Sequence, residues 1–152
     1  MRNVNFALRK AYMAALGDPL QVNVTYPTAA TINVPIYYLI APESETGKYF
    51  LTFNQVSNTD SGSFSSESTY TSMQVQIHTW DDEGNAGQYA DDIAGAVFAI
   101  IKPTPQSVLD MSADNFQMVG TFLDGDITNQ LDAGNRIDIT RILTFRHRIL
   151  HK

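Results

Sequence analysis

The sequence has no cysteine among its 152 residues, which excludes disulfides, thiolate metal sites and cysteine nucleophiles together. It also lacks a long hydrophobic run, since the longest, residues 93–101, is about half the length that a membrane-spanning helix requires. Arg9 and Lys10 interrupt the apolar N-terminus, so it does not resemble a secretion signal. Hydrophobic residues make up 43% and charged residues 17%, unlike a disordered chain. We expect a soluble protein, made in the cytoplasm, with one domain over residues 1–152.

Basic residues are scarce in the middle of the chain. Residues 11–135 contain only Lys48 and Lys102 against fifteen acids, whereas the remaining bases lie near the two termini. The net charge of -6 argues against non-specific binding to nucleic acid, because neutralisation of phosphates supplies most of that affinity. The segregation of charge is either chance or a sign that basic elements of one subunit meet acidic surface of another.

Two segments space their apolar residues as helices do. Asn3 is a suitable N-cap for a first helix, which Gly17 ends, with Pro19 just beyond. Residues 86–101 predict the stronger second helix. Gly95 in its middle costs about 1 kcal/mol relative to alanine, which predicts close packing against a neighbouring element. The predicted core stripe of this helix consists of Tyr89, Ile93, Val97 and Ile100 or Ile101.

Five segments have the alternation or composition of strands: residues 34–41, 48–56, 70–80, 116–123 and 136–150. Pro35 places the first at a sheet edge or at a strand beginning. The turn-rich residues 42–47 predict a hairpin between the first two, and residues 18–32 and 124–135 are predicted to be connections. The order of elements predicts an α+β fold, with a mainly antiparallel sheet of about four to five strands and two helices packed on it.

Residues 57–69 are rich in serine, and Phe64 is their only large apolar side chain. Such a segment cannot offset the entropy of ordering by burial, so we expect a flexible loop in the free protein.

The sequence contains no phosphate-binding glycine motif, nucleophile elbow or HExxH pair. His147 and His151 indicate a pair of surface histidines more than a metal site, because the terminal segment offers no nearby carboxylate. The acids at residues 81–83 could bind a divalent cation, but such clusters more often solvate a turn. Residues 124–132 lack the glycine and glutamate of a calcium loop. We expect no catalytic residue, no cofactor and no metal, and therefore not an enzyme.

Residues 73–101, MQVQIHTWDDEGNAGQYADDIAGAVFAII, resemble the centre of the tail-completion (tail-terminator) family of long-tailed phages. The similarity is an alternating strand that ends at Trp80, a short polar turn, and an alanine-rich helix with an A-[DE]-x-[IV] core at residues 90–93. The helix ALRKAYMAAL, the strand YFLTFNQVS and the basic final strand RIDITRILTFRHRI also resemble that family, so the resemblance covers most of the chain.

The resemblance implies a structural virion protein that forms a homo-oligomeric ring, a hexamer or a dodecamer. Such a ring lies at the head-proximal end of the tail or in the neck, ends the tail tube and joins it to the head connector. Its partners would be tail-tube and neck proteins, and double-stranded DNA would pass through without specific binding. It would be assembled in the bacterial cytoplasm, without a membrane. The alternatives are a small binding module with an apolar pocket and a carboxylate- or metal-dependent enzyme.

Within such a ring, one subunit must present two different complementary surfaces. We expect basic residues of the final strand, or the basic first helix, to meet acidic surface from residues 81–92 of a neighbour, and Trp80 to be a packing residue or an interface anchor. The acids of the second helix, or those of the turn, are expected to face the lumen and to repel DNA. The interface residues predicted are Arg136, Arg146, Arg148, Asp81, Asp82, Glu83 and Trp80, and the helix acids are Asp91 and Asp92.

Overall fold

The computed structural model describes residues 3–25, 28–60, 67–132 and 134–152. Within them the helices are α1 (Val4–Leu16) and α2 (Ala86–Ile101), with a 3-10 turn at Ser112–Asp114. The strands, in chain order, are β1 (Leu20–Val24), β2 (Ala30–Val34), β3 (Ile36–Tyr38), β4 (Tyr49–Asp60), β5 (Ser68–Asp81), β6 (Phe116–Asp132) and β7 (Ile137–His151). No helix in these ranges is long and apolar enough to cross a membrane.

The main sheet has five strands in the order β3-β4-β5-β7-β6. Its neighbours pair antiparallel except β3 and β4, which run parallel. A separate two-stranded hairpin is formed by β1 and β2. The predicted α+β class, with a mainly antiparallel sheet of five strands and two helices, is confirmed.

The ends of the helices follow the predicted signals. The Asn3 side chain accepts a hydrogen bond from the Phe6 amide at 3.2 Å, which satisfies one of the free amides at the start of α1. Gly17 ends the helix with a φ of +76°, a conformation that glycine adopts without strain. The bounds of α2 also agree with the prediction. Gly95, however, is exposed, and a side chain there would meet open space, so the predicted close packing is wrong within the described chain.

The core lies between one face of the main sheet and a layer formed by α1, α2 and the β1–β2 hairpin. The alternation in β5 confirms the prediction, because Met73, Val75 and Ile77 are buried while the intervening side chains are half-buried. Other fully buried side chains of this core are Leu8, Tyr12, Phe53, Ile93, Val97, Leu143 and Phe145.

Three predicted connections are wrong. Residues 18–32 contain β1 and most of β2, because Leu20, Val22 and Val24 alternate with polar residues and are buried. Residues 124–135 were predicted as a loop, but β6 continues to Asp132 because β7 supplies a full ladder of partners. Residues 42–47 do not close a hairpin, since β3 and β4 are parallel.

Two further predictions concern edges and loops. Pro35 directly precedes β3, the edge strand, which confirms its predicted position. The serine-rich loop is shorter than residues 57–69, because β4 extends to Asp60 and β5 begins at Ser68. Residues 61–66 of that loop lie outside the described residues.

Candidate functional site

One face of the main sheet is left without a helix or strand on it in the described parts of the chain. Strands β5 and β7 send alternate side chains to the core and to this surface, which we call the open face. An antiparallel sheet can expose one face to water, so exposure alone does not indicate a function. The composition of the open face is more informative, because aromatic, arginine and short polar side chains occupy it. Those of β5 and β7 are Tyr70, Ser72, Gln74, Gln76, His78, Trp80, Asp138, Thr140, Ile142, Thr144, Arg146 and Arg148.

At one end of the open face, Arg146 lies between two aromatic rings. Its guanidinium carbon is 5.4 Å from the centroid of Tyr70 and 5.2 Å from that of Phe122. Arg148 also lies over Tyr70, at 5.9 Å, and Asp124 forms an ion pair with Arg146 at 3.3 Å. Two of the three predicted interface arginines, Arg146 and Arg148, therefore lie side by side, on a surface of planar groups that a partner could contact.

At the other end of the open face, Arg136 lies over the ring of Trp80 at 4.6 Å. The indole N–H of Trp80 donates to the Gly47 carbonyl at 2.9 Å, which fixes the ring. Phe50 and His78 stack beside it with centroids 4.6 Å apart. These side chains border a cavity of about 370 Å³. Trp80 packs against its own chain and stays partly exposed, so its position is compatible with both predicted roles, packing residue and interface anchor.

The acidic turn beside Trp80 is less accessible to a neighbouring subunit than predicted. The Asp81 side chain is almost fully buried, where it accepts from Lys48 at 2.8 Å and from the Asn85 amide at 2.9 Å. Burial by itself would raise the pKa of Asp81, but Lys48 and the Asn85 amide lower it below its usual value. Asp81 is therefore a structural residue that stabilises the turn before α2. The predicted contact of Asp81 with a neighbouring subunit needs correction, because its side chain is buried within its own chain. Asp82 and Glu83 remain exposed.

The predicted basic residues do not form one patch. Arg136 borders a pocket of about 270 Å³ together with Asp82 of the acidic turn. Arg136 lies just before β7, and Arg146 lies ten residues further along the chain, within β7, which corresponds to about 33 Å of extended chain. Only Arg146 and Arg148 are therefore well separated from the acidic turn of their own chain, as a contact between neighbouring subunits requires.

The predicted lumen acids differ from each other. Asp91 is exposed, but it is paired with Arg141 at 2.9 Å. Arg141 also binds Asp126, at 2.7 Å, and the hydrogen bond from this arginine lowers the pKa of Asp126. Asp92 accepts from Gln88 at 3.1 Å and is only partly exposed. Much of the acidic character of α2 is thus balanced within the chain, and the direction in which these acids face in an assembly stays a prediction.

Sequence reasoning missed a buried polar cluster around His147. This residue is fully buried, so the prediction of two surface histidines is wrong for it. Its Nε2 is hydrogen-bonded to the Tyr12 hydroxyl, and its Nδ1 lies 3.0 Å from the Thr121 hydroxyl oxygen. Burial, with a smaller effect of Lys102, lowers the pKa of His147 to about 4. The signal was in the sequence, because His147 alternates with Phe145 and Ile149 on the core face.

Groups that could hold a metal ion do not converge within the ranges the structure describes. Two of the three acids at residues 124–132 are each bound by an arginine: Asp124 by Arg146 and Asp126 by Arg141. On the open face, His78 lies beside the hydroxyl groups of Thr52 and Thr140, and Arg146 lies over aromatic rings.

Comparison with known proteins gives one kind of match. No family model matches the sequence, and no curated protein matches it. Among solved structures, 19 chains match. One of them belongs to the virion of a native gene transfer agent (GTA) particle, with a TM-score of 0.53 and 16% sequence identity. The match covers 76% of this chain and 78% of that chain. At this identity the likeness shows a shared fold, and the resemblance to the tail-completion family stays a prediction.

Proposed function

We propose that this chain is a structural protein of a phage-like virion. The observation that carries the proposal is the match to a chain of a gene transfer agent virion over three quarters of both chains. The open face supports it, because exposed aromatic rings with arginines stacked on them are typical of protein contact surfaces.

The finer proposal is a tail-terminator or neck ring. Its basis is the resemblance of residues 73–101 and their flanks to the tail-completion family. A ring of identical subunits needs two different surfaces on each subunit. The basic end of the open face, with Arg146 and Arg148, and the exposed acids Asp82 and Glu83 form such a pair, at opposite ends of the sheet. The ring would join the tail tube to the head connector in the virion.

Electron microscopy of the purified protein, together with its mass in solution, tests this proposal. We expect closed rings with a mass of six, or of twelve, times the 16.9 kDa chain. A protein that stays monomeric at high concentration contradicts the ring. Addition of purified tail tubes sharpens the test, because a terminator should cap one end of each tube and a neck ring should not.

A binding module is the second candidate, and the cavity bordered by Phe50, His78 and Trp80 favours it. Its lining combines the rings of Phe50 and Trp80 with polar side chains, among them Asn129 and Gln130, which could orient a small ligand. A monomeric protein whose Trp80 fluorescence changes on addition of a small ligand would support this function against the ring. We propose no enzymatic activity, because Asp81, the most buried acid of the 81–83 turn, is already bound by Lys48 and the Asn85 amide.

A further inference from the structure

The main sheet has an unpaired strand edge on each side. On one side, β3 pairs only with residues 51–53 of β4, so residues 54–60 of β4 have no neighbouring strand there among the described residues. On the other side, β6 is the outermost strand, and β7 is its only neighbour in the sheet among the residues that the structure describes. Unpaired edges expose rows of amide and carbonyl groups that can pair with another chain. We call residues 54–60 the β4 edge and residues 122–132 the β6 edge.

The β6 edge exposes several large apolar side chains. Ile127 is 59% exposed and Leu131 is 64% exposed, and Phe122 and Leu123 are also exposed. The strand contains neither lysine nor proline, the residues that usually protect an edge from pairing. Two of its three acids are neutralised within the chain by Arg141 and Arg146. The edge therefore carries little charge that would repel another strand.

The first half of β6 differs from this edge. The Lys102 ammonium donates to the main-chain carbonyl of Thr121, and the Leu109 amide contacts the sulfur of Met118 at 3.3 Å. The segment after α2 thus lies against β6 up to residue 121. A lysine at a strand edge blocks the addition of another strand. Lys102 protects β6 only up to Thr121, just before the exposed apolar residues begin.

The directions of the strands select how two copies can combine. Since β4, β5, β7 and β6 alternate in direction, β6 runs antiparallel to β4. The register of the sheet sets residues 54–60 of β4 level with residues 118–125 of β6. A second copy in the same orientation, placed beside the first and shifted along the strands by about four residues, or about 13 Å, would therefore bring its β4 edge antiparallel to the β6 edge. This combination uses two different edges and can be repeated, which is what a closed ring requires.

We propose that the β6 edge of one copy of this chain pairs with the β4 edge of the next copy, so that the sheet continues from subunit to subunit. The proposal rests on the ring of the proposed function and names its subunit contact. The seven residues of the β4 edge span about 24 Å, and Val56, which is 52% exposed, supplies the apolar side chain there. Asp60 meets no unpaired acid at Asp124 or Asp126, because both are held by arginines.

The test uses subunits that are blocked on one edge. Ile127→Lys with Leu131→Lys blocks the β6 edge, Val56→Lys blocks the β4 edge, and Val108→Lys is the control, because Val108 is 44% exposed and lies on neither edge. Circular dichroism and thermal melting verify that all variants fold. We expect wild type and the control to form rings and each blocked variant to be monomeric. A mixture of the two blocked variants, one of them carrying a tag, should form a one-to-one dimer through the single intact contact.

Three other outcomes overturn the pairing, and they differ from one another. A monomeric wild-type protein overturns the proposed ring itself. Rings that form in both blocked variants show that the ring exists but uses other surfaces. A β4-blocked variant that dimerises alone, without capturing the β6-blocked variant, shows that two β6 edges pair about a two-fold axis.

Discussion

The two faces of the main sheet are made by the same strands and differ in what their side chains contact. Toward the helices, Val75 and Phe145 are fully buried in a continuous apolar core. On the open face, Tyr70 and Arg146 of the same two strands touch mainly each other and their neighbours at the surface. Core contacts remove apolar area from water and hold the fold, whereas contacts between exposed cations and rings contribute little. The difference teaches that the open face can be altered at small cost to stability.

The largest expected effect is in the core. Phe145→Ala should lower the free energy of unfolding by about 3–5 kcal/mol, because it removes a fully buried ring that packs against Phe98. Phe122→Ala on the open face is the matched control, and it should cost less than about 1 kcal/mol, since Phe122 is exposed. Urea denaturation measures both, and equal losses in the two variants would contradict the comparison.

The next effect is a dependence on pH that arises on the core side alone. The pKa of His147 is about 4 in the folded protein, against about 6.5 when unfolded, so the unfolded chain binds more protons between these values. Stability should therefore be unaffected by His147 above about pH 6.5. It should fall by about 3 kcal/mol as the pH drops from 6.5 to 4.

Urea denaturation at several pH values measures this loss, and NMR titration of the His147 ring measures the pKa directly. Titration of that ring near pH 6.5 in the folded protein would show that it is not held neutral by burial. Acidic groups also titrate in part of this window, so the NMR signal is the specific readout.

A smaller change in stability is expected at the open face, with a large change in assembly. Arg146→Glu with Arg148→Glu should alter the free energy of unfolding by about 1 kcal/mol, because exposed cation–π contacts and ion pairs are individually weak. If this face meets acidic surface of a partner, the same variant should assemble poorly at physiological salt. Analytical ultracentrifugation decides, and normal rings from the double variant would exclude these arginines from the contact. Arg9→Glu, on α1, tests the alternative that the basic first helix makes this contact.

The smallest expected effect is none at all. Assembled rings should show no measurable affinity for double-stranded DNA at about 0.15 M salt, because the chain carries a net charge of -6. Fluorescence anisotropy with labelled duplexes tests this prediction. Binding that strengthens as salt falls, and that is lost when Arg146 and Arg148 are replaced, would instead place the basic end of the open face against DNA.

Local patterns predicted those elements whose boundaries depend on their own residues. The helix at residues 86–101 and the alternation of β5 follow from spacing alone, as does the cap at Asn3. The second half of β6 was missed because its glycine, aspartate and asparagine favour turns, and only the ladder to β7 makes it a strand. The parallel pairing of β3 with β4 is a tertiary choice that no local pattern contains.

The candidate site was predicted in its parts and not in its arrangement. Arg146 and Arg148 were predicted on the polar face of the final strand and lie exposed there, whereas their role at an interface, like that of Trp80, stays a prediction. Their stacking depends on the register between β5, β7 and β6, which places Tyr70 and Phe122 beside Arg148 and Arg146. The burial of Asp81 depends on its ion pair with Lys48, which directly precedes β4 and lies 33 residues away in the sequence.

Arg141 has a mechanical consequence for the chain. On β7, it forms ion pairs at the same time with Asp91 on α2 and with Asp126 on the outermost strand, β6. A load applied along β6 would be passed through this guanidinium to α2 as well as along the strand ladder. Sliding the outermost strand past the helix would have to part both carboxylates from one cation, so Arg141 couples the outermost strand to the helical layer.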